Sequence, residues 1–242
     1  MLFDGLRGDS SSIGWSLSGP IGPNNALGAV ADDGGQRAPL DLVPGDYTLT
    51  VDAPGDTVGG YAFRLLDLSQ AAVISPGEER SGTLDSGRSA SIFAFDASAG
   101  DRFVADMRAA PSAWRWSLFD PYGRTVFGPQ PNDVNIGPAG VTGRYTLVLE
   151  GTADSPASLS YDFVLTPQGN TPPTPLPPGT ALPFDTRIDG AITLAAQPAV
   201  YRFTLEQTKS LYFDGLSGAS GIGWSLTGPT GEIVNSYAIN TV

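Results

Sequence analysis

Hydrophobic and polar residues alternate along much of the chain. In Tyr145-Thr-Leu-Val-Leu149 the Tyr and both Leu fall on one face, and in Tyr47-Thr-Leu-Thr-Val51 the opposite face is purely Thr. Tyr61-Ala-Phe-Arg-Leu65 and Tyr201-Arg-Phe-Thr-Leu205 keep the same two-residue period. Successive side chains on a strand point to opposite faces, so these segments predict half-buried strands. No window sustains an apolar period of 3.6, and little helix is expected. Gly 31 and Pro 21 together make up roughly a fifth of 242 residues, against a usual share of about 12%. Both interrupt helices and shape turns. Many short, turn-punctuated strands predict an all-β chain of antiparallel β-sandwich, jelly-roll-like modules.

The pattern also repeats at long range. FDGLRGDSSSIGWSLSGPIG from Phe3, ADMRAAPSAWRWSLFDPYG from Ala105 and FDGLSGASGIGWSLTGPTG from Phe213 each carry an Asp (Asp4, Asp106, Asp214), then Trp-Ser-Leu, then a Pro turn. The tryptophans Trp15, Trp116 and Trp224 are spaced by 101 and 108 residues. PGDYTLTV around Tyr47 matches TGRYTLVL around Tyr145, GGYAFRLL around Tyr61 matches LSYDFVLT around Tyr161, and SIFAFD around Phe93 matches VYRFTL around Tyr201.

Laid against this cycle, residues 1–68 hold the later strands of a first module. Residues 69–166 hold a complete one, with 69–80 as its lead-in. Residues 167–184 are a Pro-rich linker, and 185–242 hold the opening strands of a third module. The chain reads as a window on a longer array, one complete module between two partial ones. The linker stretch TPQGNTPPTPLPPGTALP favours polyproline II, a semi-rigid spacer. The opening strands at 185–242 and the closing strands at 35–68 are complementary halves of one module, and pairing within a chain or between chains would complete it. Unpaired edges on half-modules otherwise invite aggregation.

Composition narrows the chemistry. There is no Cys and no His, which removes disulfides, thiolate catalysis, Cys-ligated zinc and the commonest general base. A net charge of -12 argues against nucleic acid or an anionic membrane as partner. Lys209 is the only lysine, a composition bias rather than a binding surface. No apolar run has the length of a membrane span. The start Met1-Leu2-Phe3-Asp4-Gly5 has neither the basic nor the apolar region of a signal peptide, so an export signal is expected outside this chain.

The middle module reads SIFAFDASAGDRFVADM, RWSLFDPYGRTVF, GVTGRYTLVLEG and SYDFVL. It resembles the bacterial pre-peptidase C-terminal domain family and the related repeats of giant exported proteins. The matching features are the aromatic-x-aromatic strand followed by Ala99-Gly100-Asp101, the turn Asp120-Pro121-x-Gly123, and Thr142-Gly143-x-Tyr145. The flanking copies depart in detail: Gln207-Thr208-Lys209 stands for Ala-Gly-Asp in the third, and Gly-Pro for Asp-Pro in the first and third. The resemblance implies a jelly-roll-like sandwich on secreted enzymes and surface proteins, acting as accessory, substrate-binding or spacer domain without catalysis. Some such relatives bind collagen or calcium, and no ligand residue carries over.

No residue is assigned as catalytic, cofactor-binding or metal-ligating. Calcium is the one cofactor weighed: Asp96, Asp101 and Asp106 flank one turn, and Asp32-Asp33 and Asp52/Asp56 lie near others. Calcium takes several oxygen ligands, but Asp also favours turns for local hydrogen bonds, and no DxDxDG loop occurs. Glu78-Glu79 is an adjacent acidic pair in an expected loop, a solvated turn rather than a glycosidase pair. No GxSxG or Ser-x-x-Lys motif accompanies the many serines. Each Trp-Ser-Leu tryptophan is expected in the core, against a reading as a sugar-stacking platform. Trp114 shares a strand face with Trp116 and has no counterpart in the other copies, so the surface-binding alternative carries more weight there than at the other tryptophans, behind the core reading.

These features lead to a non-catalytic structural or adhesive repeat of a large secreted or cell-surface bacterial protein, in a stalk or fibre. Its partners would be neighbouring modules, copies of itself, or an extracellular polymer or surface ligand, without nucleic acid or membrane insertion. The alternative is an accessory module holding a secreted hydrolase on a polysaccharide or protein.

Overall fold

The computed structural model describes residues 1–20, 28–30, 39–85, 88–109, 114–151, 158–172, 178–194, 197–207, 209–218, 221–228 and 231–239. The chain is all-β, as its period-two pattern requires, with one 3-10 turn at Leu68–Gln70 among the described residues. It forms two compact units, Met1–Pro172 and Pro173–Val242.

In the first unit, residues 1–66 carry β1 (Leu2–Gly8), β2 (Gly14–Ser18), β3 (Gly28–Ala29), β4 (Thr48–Asp52) and β5 (Tyr61–Leu66). β1 pairs with β5, and β2 lies between β3 and β4. Phe3, Ile13, Trp15, Leu17 and Val30 bury between them, with Leu49, Val51 and Phe63 packed alongside. Phe3 stacks on Trp15 with ring centroids 4.1 Å apart.

Residues 72–170 carry β6 (Ala72–Val73), β7 (Glu79–Leu84), β8 (Ala90–Ala97), β9 (Asp101–Ala109), β10 (Trp114–Phe119), β11 (Thr125–Gln130), β12 (Val134–Ile136), β13 (Gly143–Gly151) and β14 (Leu159–Asn170). They make a sandwich of a five-stranded sheet, β11-β10-β13-β8-β6, and a four-stranded sheet, β12-β9-β14-β7. All pairs are antiparallel except β6 with β8. Phe93, Phe95, Trp116, Leu118, Tyr145, Leu147 and Leu149 from the first sheet meet Phe103, Met107, Phe163 and Leu165 from the second in one core. The alternation of Tyr145, Leu147 and Leu149 thus aims one face of β13 inward. Its other face is also covered, because Val148 is buried in a separate cluster. β14 reaches Asn170, beyond the 166 boundary read from the sequence, because the Asn170 amide donates to Ala99 O (3.1 Å) and Asp101 Oδ1 (2.8 Å).

The first and middle Trp-Ser-Leu segments share strand pairing as well as residues. Trp15 faces Val51 and Leu17 faces Leu49 across β2 and β4. Trp116 faces Leu149 and Leu118 faces Leu147 across β10 and β13 in the same register. The Gly-x-Tyr motif explains itself in both copies. Tyr145 Oη donates to Val141 O (2.9 Å), and Tyr47 Oη to Val43 O (2.8 Å), each pinning the corner that opens the strand. The glycine between them is required by backbone and space: Gly143 has φ +151°, and a Cβ there would lie 2.7 Å from Pro121 Cγ. Gly45 repeats this with φ +153°, against Pro20. The Pro turn after Trp-Ser-Leu and the Gly-x-Tyr corner therefore recur together because they pack on each other. Gly143→Ala is expected to cost about 2 kcal/mol in urea unfolding through backbone strain and overlap, and Tyr145→Phe about 1 kcal/mol for one hydrogen bond.

The second unit holds β15 (Thr180–Ala181), parallel to β16 (Tyr201–Arg202), and an antiparallel hairpin of β17 (Gly223–Gly228) and β18 (Gly231–Ala238). Phe213 stacks on Trp224 at 4.0 Å, reproducing the Phe3–Trp15 pair of the first copy. None of the described residues of this unit is buried. Trp224 is only half-buried, unlike Trp15 and Trp116, which corrects the expectation of a core tryptophan in every copy. A two-stranded hairpin offers no opposing sheet to close over it.

Candidate interaction surfaces

The residues singled out for chemistry are mostly occupied by structural work. Trp114 is 1% exposed and lies edge-on to Trp116 at 6.1 Å. It is a core residue, which removes the surface-binding alternative weighed for it. Shared facing with Trp116 on β10 meant shared burial, because that face lies under the second sheet. Trp116 is fully buried, with Nε1 donating to Asn132 O (3.0 Å).

Of the acidic residues, Asp101 caps the turn between β8 and β9. Its carboxylate accepts from Ser98 N (2.7 Å) and the Asn170 amide, and these bonds hold its pKa below the ordinary carboxylate range, the Asn170 bond being the larger cause. Asp52 caps its own strand end by accepting from Ala53 N (2.8 Å). Asp120 organises the Asp-Pro-x-Gly turn, accepting from the backbone N–H of Tyr122 and Arg124 (both 2.9 Å) and pairing with the Arg124 guanidinium at 2.7 Å. Asp96 and Asp56 are exposed, and Asp32-Asp33 lies outside the described residues. Among the described residues no group of three or more acidic side chains converges to hold a metal ion.

Glu78 and Glu79 take separate partners, Arg80 at 3.5 Å and Arg108 at 3.2 Å. Arg108 also reaches Asp106 at 3.5 Å. Asp162 joins this surface group on the face of β14 and β7. Its pKa is raised, first by desolvation and then by the charge of Glu79 and a hydrogen bond shared with it. A raised carboxyl favours the folded state below its unfolded pKa, and that contribution is lost as pH rises through the folded pKa. Asp162→Asn should therefore raise the melting temperature at pH 7, with the gain vanishing near pH 3. A gain of equal size at both pH values would assign the effect to packing instead.

Two further features lie at the borders of these sheets. The first is internal to the first unit. Leu2, Leu66 and Leu68 pack with Ala90, Ile92, Phe119 and Val148 on the outer face of the five-stranded sheet. At the margin of this contact Asp4 is fully buried, pairing with Arg64 (Nε to Oδ2, 2.8 Å), and Arg64 Nη2 donates to Ala90 O at 2.9 Å. Ala90 N in turn approaches Asp4 Oδ2 at 3.3 Å. The Asp common to all copies gave a signal in the sequence, but its partner Arg64 did not. Position 64 corresponds to Val164 in the middle copy, so the pair belongs to the first copy alone.

The second feature concerns strand neighbours. β13 is flanked by β10 and β8, and β14 by β9 and β7. Their counterparts β4 and β5 each have one strand neighbour, β2 and β1, among the described residues. Tyr61 and Leu65 on β5 are 49% and 47% exposed, whereas Leu165, the counterpart of Leu65, is 1% exposed.

No helix among the described residues is long and apolar enough to cross a membrane. No family model matches the chain, and no curated protein does. Among solved structures it is similar to the pre-peptidase C-terminal domain of a collagenase from Bacillus anthracis, the family whose motifs were read in the middle module, at 18% identity over 40% of this chain and 95% of that one, with a TM-score of 0.29.

Proposed function

We propose that this chain is a structural segment of a large exported protein, in which successive β-sandwich modules join rigidly to form a stalk or display unit. The observation that carries this reading is the junction between residues 1–68 and the middle module. An apolar contact centred on Leu2, Leu66, Phe119 and Val148, bordered by buried Asp4 and its half-exposed partner Arg64, supports a fixed angle between neighbours. Contacts between domains within a chain usually leave relative motion; an apolar junction bordered by an ion pair whose carboxylate is buried resists it. A module that merely tethers an enzyme to a polymer gains nothing from such rigidity. Burial of Trp114 also removes the aromatic best placed for a sugar platform.

The test uses the natural absence of cysteine. Spin labels at Asp56→Cys and Tyr122→Cys, both on exposed positions, report the distance between the two modules. A rigid stalk gives one narrow distance distribution. A broad distribution, with the folded signature intact, would reject the stalk and favour a flexible accessory module.

A further inference from the structure

We infer that the lead-in at residues 71–74 is a force-bearing clip, which keeps tension along the chain from peeling β7 off the middle module. That the chain comes under tension rests on the stalk reading; the clip itself is a property of strand directions within the middle module.

The clip is built from the one parallel pair among the described strands of the sandwich. β6 runs alongside β8, with Ala72 opposite Phe93 and Val73 opposite Ala94. Ile74 N donates to Ala94 O at 2.9 Å, and the Ala71 carbonyl accepts from Arg144 Nη2 at 3.4 Å. Ala71 and Ile74 are both buried, and Ile74 belongs to the core between the sheets.

Strand direction decides how each contact is loaded. The chain leaves the module at the C-terminal end of β8. There Asn170 Nδ2 donates to Ala99 O at 3.1 Å and Thr171 N to Gly100 O at 2.8 Å, both on the turn that follows β8. The chain enters from the other direction. Because β6 is parallel to β8, Ala71 lies toward the N-terminal end of that strand. Tension between Ala71 and Thr171 therefore acts along the strand axis and slides β6 against β8. The bonds across the pair share that load and fail together, and the Ile74 side chain must leave the core with them.

β7 is placed the opposite way. It is antiparallel to β14 and begins at Glu79, opposite Val164, with Gly77 N donating to Leu165 O at 2.7 Å. Its first residue thus lies toward the end where β14 leaves. A pull on Glu78 and Thr171 opens Glu79 from Val164 first, then Arg80 from Phe163, and so on to Leu84 and Leu159. One residue pair breaks at a time. β7 has β14 as its single strand neighbour among the described residues, whereas β14 is also held by β9. Without the clip β7 goes first, buried Leu84 follows it, and β14 is left with a bare edge open to wrong pairing.

Optical-trap pulling on the full-length chain separates the two loadings, because the absence of native cysteine leaves handle positions free to choose. One chain carries Gln70→Cys with Thr171→Cys, and the other Glu78→Cys with Thr171→Cys; all three positions are exposed. The first pair of handles loads the clip and the second bypasses it. Forced opening reports the barrier along the loaded path rather than equilibrium stability. The first pair is expected to open at roughly double the force of the second at one pulling rate, since several bonds fail together instead of singly. Ile74→Ala, which shortens the buried anchor, lowers the force for the first pair and leaves the second nearly unchanged. Equal forces for the two pairs, or an equal loss for both on Ile74→Ala, overturn the clip. Failure of the stalk reads out elsewhere: a broad spin-label distance distribution rejects it and leaves the force comparison standing.

Discussion

Arg64→Met should destabilise the first unit by about 2 kcal/mol at neutral pH and make its stability strongly pH-dependent. Asp4 is fully buried at the junction, and Arg64 neutralises it while also donating to Ala90 O. Removing one member of a buried pair strands the other charge, at a typical cost of about 3–5 kcal/mol. The lower figure applies because the Arg64 side chain is 41% exposed and water reaches it.

The sign of the pH effect follows from Asp4. Its pKa is raised by desolvation, opposed mainly by the Arg64 hydrogen bond and charge. A raised carboxyl stabilises the fold below its unfolded pKa, near 4 in ordinary carboxylates, and loses that contribution as pH rises through the folded pKa. Without Arg64 the folded pKa climbs further. The deficit of Arg64→Met is thus small near pH 3 and full at pH 7, and Asp4→Asn in the same background recovers part of it. Urea unfolding at both pH values measures this. A deficit independent of pH would show that Arg64 acts through packing alone.

Trp116→Ala should cost about 4 kcal/mol, the largest loss expected from any one tryptophan here. The side chain is fully buried between both sheets, edge-on to Phe127, Phe163 and Trp114, and its N–H is satisfied by Asn132 O. Large-to-small changes at such sites lose transfer energy and leave a cavity that rigid sheets do not close. The same substitution at Trp15, in the smaller cluster of the first copy, should cost about 3 kcal/mol. Trp224→Ala, on a half-buried hairpin residue, should cost about 1 kcal/mol or less. Three identical motifs would thus give three different losses. Equal losses would mean that the third copy has a closed core of its own in solution.

This graded series shows where the motif stops being informative. Trp-Ser-Leu with its Pro turn is a local pattern, and it produced a strand with the Trp and Leu on one face in every copy. Whether that face is buried depends on a second sheet, built from strands distant in sequence. A surface-binding alternative stayed open for Trp114 for this reason: its placement beside Trp116 is visible in the sequence, but the layer covering both is not.

By itself the sequence determined the strand periodicity, the all-β class and the recurrence of the Trp-Ser-Leu and Gly-x-Tyr motifs, because each is written in local residue order and backbone geometry. The tertiary structure alone decided the rest. It paired Asp4 with Arg64, 60 residues away, and buried both faces of β13 by setting Val148 against the first module. It also gave β4 and β5 one strand neighbour each among the described residues, which no local pattern encodes. Burial, charge pairing and strand neighbours belong to surfaces brought together from across the chain, so their energies appear only once those surfaces meet.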